Sequence, residues 1–177
     1  TFTHALVRAT LYEEMSTPRR MLVHRQVAEA LERLYADDID SHLAELAAHY
    51  VASAGGQAGK AIEYSIRAAD HSRKLLAWED ASAHYQRALD AMEMIKAPHD
   101  ATRAQLLLSA VECNRLSGQD SGNEGLVREA IAIARDINDA RLFSRAVRAF
   151  ELAAQQTEAD ATTERLALFD EALQMLE

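Results

Sequence analysis

One pattern constrains this chain more than any other. An alanine followed by a larger apolar residue recurs at a fixed interval: Ala88-Leu89, Ala130-Ile131 and Ala172-Leu173 stand 42 residues apart. A methyl group at a repeated helical position lets a neighbouring helix approach closely. Recurrence over a few tens of residues signals one supersecondary unit used several times. Two strings carry the unit locally, Lys60 to Ala69 and Asp80 to Leu89. In the first, Ala61 and Ala68 lie on one helical face. In the second, Ala81, Tyr85 and Ala88 share a face, two small residues flanking one aromatic. Six Gly and two Pro are few for a β protein, which needs turn residues every ~8–12 positions. Strand-like alternation of useful length is absent from the sequence, so the expected class is all-α.

Periodicity and capping residues give nine helices joined by short loops: 3–15, 18–35, 41–53, 60–76, 78–96, 100–117, 126–137, 139–156 and 161–176. Thr17 is the expected cap of the second, with Pro18 in its first turn, where a missing N–H costs nothing. That helix is expected to bury Leu22, Val23, Val27, Ala30, Leu31 and Leu34. Gly118 and Asn138 are expected left-handed stops, and Ser121 with Glu124 reads as a capping box. Thr157 and Asp160 are the expected cap of the last helix. Short loops make successive helices antiparallel neighbours.

The small-residue positions resemble those of the tetratricopeptide repeat. Two features depart from that family: the period is 42 instead of about 34, and Ser65, Leu107 and Ala149 stand where its first helix carries a large aromatic. The resemblance implies a right-handed superhelical α-solenoid of helix pairs with a concave groove. The repeat frame stays open, because 60–69 matches a second helix best, whereas the 42-residue period makes it a first helix. In the periodic frame the groove is lined by Glu63, Ile66, Asp70, Arg73 and Lys74, then Gln105, Leu108, Glu112 and Arg115, then Val147, Phe150 and Ala154. Leu108 and Phe150 are expected to be exposed there, in mixed charge that suits a protein or peptide partner.

The N-terminal strings Phe2 to Arg8, Leu11-Tyr12-Glu13, Arg19-Arg20, His24 and Val27 to Glu32 resemble the junction of large bacterial STAND-type ATPases, where a nucleotide-binding and winged-helix region enters a tetratricopeptide array. Leu46 to Tyr50 and Lys60 to Ala69 continue the likeness, which covers about the first 95 residues. Such segments occur in large LuxR-type transcriptional regulators and in some nucleotide cyclases and protein kinases. The resemblance implies a junction over 1–36, repeats over 37–177, and a chain that is a piece of a longer cytoplasmic protein. It implies a non-catalytic sensor or interaction segment that binds a protein, a peptide or the parent's own ATPase module. A regulatory segment of a cyclase or kinase and a small-molecule inducer domain are the alternatives.

Chemistry is sparse. The glycines, at 55, 56, 59, 118, 122 and 125, form no phosphate loop with a following Lys-Ser/Thr. Net charge is −9 without a basic stripe, which argues against direct nucleic-acid binding. The single cysteine, Cys113, reads as core filler. His42 and His49 share a helix face but lack ligand spacing, and His4 and His24 read as hydrogen-bonding groups between the first two helices. Trp78 and Tyr85 read as packing, and Met92 and Met94 as filler before Pro98. No catalytic residue, cofactor or metal is expected, and no apolar run reaches the ~18–20 residues that span a bilayer.

Overall fold

The computed structural model describes residues 10, 12–53, 56–154 and 160–176. Among these the chain is all-helical, without strands. The elements are α1 (Thr17–Leu34), a 3-10 segment (Ala36–His42), α2 (Leu43–Ala52), α3 (Ala58–Lys74), α4 (Trp78–Met94), α5 (Ala101–Ser117), α6 (Asn123–Asp136), α7 (Ala140–Ala154) and α8 (Asp160–Leu176). The helix expected over 3–15 and the cap residue Thr157 lie largely or wholly outside the described residues.

Four successive helices end in the same joint. Leu76, Lys96, Gly118 and Asn138 take positive φ angles of 59°, 51°, 76° and 55° after α3, α4, α5 and α6. In each case the next residue's N–H reaches back five residues. The bonds are Ala77 N to Ser72 O at 2.9 Å, Ala97 N to Met92 O at 2.9 Å, Gln119 N to Asn114 O at 2.7 Å and Asp139 N to Ala134 O at 3.0 Å. This is the left-handed helix stop that satisfies orphan carbonyls. Leu76 and Gly118 stand 42 residues apart, as do Lys96 and Asn138, so the backbone repeats with the alanines. Start signals are less regular. Asp100 accepts from Arg103 N at 3.1 Å and Asp139 from Leu142 N at 2.9 Å.

Each helix packs chiefly on its sequence neighbours, and the next-but-one contacts join helices of like parity. In the odd series, Lys60 and Tyr64 of α3 reach Glu32 of α1, Arg73 of α3 reaches Glu112 of α5 at 3.1 Å, and α5 packs against α7. In the even series, α2 touches α4, while Arg128 and Arg135 of α6 pair with Glu164 and Glu171 of α8. Helices α1, α3, α5 and α7 are therefore linked in one row, and the contacts named here join the even helices in two pairs, α2 with α4 and α6 with α8.

Burial follows the alanines. Ala88 and Ala130 are fully buried and Ala172 is 7% exposed. One apolar cluster runs from Ala69 to Ala172 and a smaller one joins Ala28, Leu46, Tyr50, Ala61 and Tyr64. Ser65 and Leu107 are buried at the positions where an aromatic was missing. Several expectations are corrected. Leu22, Val23 and Leu34 are exposed, as is Ala30; Ala28 is the buried residue of α1. The α1 face that meets α2 is a narrow stripe, so the outer apolar side chains find no cover there. The N-cap of α1 is Ser16, not Thr17, and α6 begins at Asn123 behind Gly122, without the Ser121 box. Asn123 is drawn into the interior instead, accepting from Asn114 Nδ2 at 2.9 Å. Met94 is 60% exposed, unlike buried Met92.

Candidate functional site

Because α5 and α7 lie side by side in one row, the faces they turn outward form the two walls of a cleft of about 300 Å³. On α5 the wall is Leu108, Val111, Glu112 and Arg115, the i, i+3, i+4, i+7 set of one helical face. On α7 the wall is Arg145, Arg148, Ala149 and Leu152, again one face. Asp120, from the α5–α6 connection, and buried Asn123, the first residue of α6, complete the lining.

The expected groove residues divide into three groups. Leu108, Glu112 and Arg115 line the cleft, although Leu108 shows only 6% of its surface. Val147 and Phe150 do not line it: they are 2% and 1% exposed, in the core. With Leu142, Phe143 and Ala146 they form the apolar stripe of α7 that packs against neighbouring helices. The expectation that Leu108 and Phe150 are exposed is therefore corrected; both are covered by helix packing. The side chain of Ala154 lies outside the described residues.

The α3 members sit apart from the cleft. Glu63 is exposed and 3.8 Å from Arg67. Ile66 is half-buried against the larger core cluster. Asp70 accepts from the Tyr85 hydroxyl at 2.5 Å, and Arg73 donates to that hydroxyl at 3.4 Å. Burial and the Asp70 hydrogen bond push the Tyr85 hydroxyl up to about 12. Lys74 and, on α5, Gln105 are exposed. Arg73 is the link between the two regions, since it pairs with Glu112 on the cleft wall.

Sequence reasoning missed Arg145 and Arg148. Their signal was present: Arg141, Arg145, Arg148 and Leu152 fall on one stripe of α7, adjacent to the apolar one. Neither Arg115, Arg145 nor Arg148 has an acidic partner among the described residues. Arginines elsewhere do: Arg103 of α5 bonds Glu129 at 2.6 Å and Glu93 at 3.3 Å, and Arg135 of α6 bonds Glu171 of α8 at 2.5 Å.

A second polar cluster lies at the α1–α2–α3 junction. Glu32 accepts from Lys60 Nζ at 2.6 Å and from the Tyr64 hydroxyl at 2.6 Å, while Lys60 also donates to the Tyr50 hydroxyl at 3.1 Å. Burial acts to raise the Glu32 carboxyl, but the hydrogen bonds outweigh it and hold it below the ordinary range. Burial, then the carboxylate, pushes the Tyr50 hydroxyl up to about 12. The tyrosine rings stack at 5.3 Å, so this cluster fastens helices together. Nearby, His24 meets the Tyr12 hydroxyl and His49 Nδ1, each at 2.9 Å. Burial, reinforced by His49, lowers the His24 pKa. Tyr35 and His42 stack at 3.6 Å.

Among the described residues no set of three His, Cys, Asp or Glu side chains could hold a metal. Cys113 is buried, with its thiol pushed up by desolvation. No described helix is long and apolar enough to cross a membrane. No family model, curated protein or solved structure matches the chain.

Proposed function

We propose that this chain is a tetratricopeptide-like solenoid that binds a protein or peptide partner within a larger ATP-dependent regulator of the LuxR or STAND type. The observation that carries the binding reading is the open cleft between α5 and α7, walled by helices of one row and offering both apolar and charged groups. The 42-residue recurrence of alanines and of left-handed helix stops supports the solenoid, because one unit stacked repeatedly leaves an outward face along each row. The regulatory context rests on the N-terminal likeness alone. A partner in this setting is a separate protein or the parent's own ATPase module. Binding in the cleft would bias the parent between resting and active states, and the chain itself performs no chemistry.

The test is amide chemical-shift mapping of the chain titrated with a pooled peptide library. Shifts concentrated on α5, the α5–α6 connection and α7 are expected. Shifts confined to other helices, or none, would overturn the assignment of the cleft. Shifts there with a small-molecule effector pool and none with peptides would favour the inducer-domain alternative.

A further inference from the structure

We infer that the segment taken by the α5–α7 cleft is acidic, with a large apolar side chain between or beside its carboxylates. This deepens the reading above and rests on it. Three guanidinium groups converge there, Arg115 from α5 with Arg145 and Arg148 from α7, in a chain whose net charge is −9. None has an acidic partner among the described residues, and all three are exposed. Arg141 extends the α7 stripe by one further turn. Two acids share the cleft. Glu112 is engaged by Arg73 at 3.1 Å, which removes it as a counter-charge. Asp120 also lines the cleft and is the one acid left without an arginine partner among the described residues. The remaining local balance is positive.

Forked guanidinium donors match carboxylates bidentately, a geometry that lysine does not offer. Apolar side chains share the lining with the arginines: Leu108 is nearly covered, Ala149 is half-buried and Leu152 is 49% exposed. A cleft of about 300 Å³ lies at the lower limit for a complete small-molecule site. It suits one or two side chains of a longer segment whose backbone runs along the surface. The overall negative charge does not oppose this, because charges farther than about 8 Å are screened at physiological salt, whereas contacts at the cleft are not.

The experiment uses fluorescein-labelled peptides and anisotropy on the full chain. Three peptides share a central leucine and differ in flanks: Asp/Glu, the isosteric Asn/Gln, and Lys. The acidic peptide is expected to bind at least about tenfold more tightly than the neutral one, and to weaken as salt rises. R145E/R148E should abolish that preference and admit the lysine peptide. These residues are exposed, so circular dichroism should be unchanged; Arg25→Glu, on α1, is the control and should leave binding intact. Equal affinity for acidic and neutral peptides, with amide shifts still on α5 and α7, would overturn the acidic assignment and leave the cleft reading standing. Absence of shifts there with all three would overturn both. Citrate displacing the acidic peptide at equal molar concentration would show a simple anion site, and that too would overturn the proposal.

Discussion

Replacing Ala130 by leucine tests the helix spacing on which the fold depends. Ala130 is 0% exposed, at the middle of α6, inside the larger apolar cluster. Ala132, two residues on, is exposed on the same helix. Leucine and alanine are both good helix formers, so propensity changes little and equally at the two sites. The difference between the variants therefore reports packing. An isobutyl group in place of a buried methyl must push α6 from its neighbours or force unfavourable rotamers, at a cost of about 1–3 kcal/mol. The exposed change should fall within about 0.5 kcal/mol of zero. For a chain of this size, ~2 kcal/mol corresponds to a fall in Tm of about 4–8 °C. Calorimetry on Ala130→Leu, Ala132→Leu and the parent chain measures this directly. Ala88→Leu should behave like Ala130→Leu, since Ala88 is also fully buried. A Tm for Ala130→Leu indistinguishable from that of Ala132→Leu would refute the claim that these methyls set the spacing.

Leu76→Gly and Lys96→Gly should each stabilise the chain by about 0.5–1 kcal/mol in urea unfolding, because both side chains are exposed and both residues hold positive φ that glycine adopts freely; a loss would contradict the joint geometry. Phe143→Ala, at a fully buried aromatic, should cost about 3–5 kcal/mol by the same measurement. Glu32 has a carboxyl held below its ordinary value of 4.5, so it adds stability above that pH and loses it as pH falls through the folded-state value. Glu32→Gln should be less stable by about 1–2 kcal/mol at neutral pH, with the gap closing below about pH 4; a gap independent of pH would contradict the assignment. Cys113, buried and with its thiol pushed up, should react with a thiol reagent only at the rate of unfolding.

Much of the architecture was legible because helix signals are local. The ends of α5 and α6 were marked by Gly118 and Asn138, whose types suit left-handed backbone. The equivalent stops at Leu76 and Lys96 were invisible, since nothing in those residue types favours positive φ; the repeat imposes it. Asn123 was unreadable as the start of α6 because its place depends on Asn114, a tertiary partner. The site was half legible for a different reason. Periodicity defines stripes on a helix but not which neighbour each stripe meets. On α7 the apolar stripe through Val147 and Phe150 belongs to the core, and the cleft uses the arginine stripe beside it. On α5 one face serves both ends: Leu108 is nearly covered, while Glu112 and Arg115 remain open.

The row of odd helices is tested most directly by the separation of α1 from α7. With α3 and α5 between them and neighbouring axes about 8–10 Å apart, the two helices should lie about 24–30 Å from each other. Spin labels on Gln26→Cys and Arg145→Cys, both exposed positions on those helices, report that separation by pulsed electron resonance, and buried Cys113 stays unlabelled in the native chain. A distance distribution centred at or above about 24 Å is the expected result. One centred near about 10 Å, the spacing of directly packed helices, would mean that the first and last odd helices meet, and the stacked arrangement would be wrong.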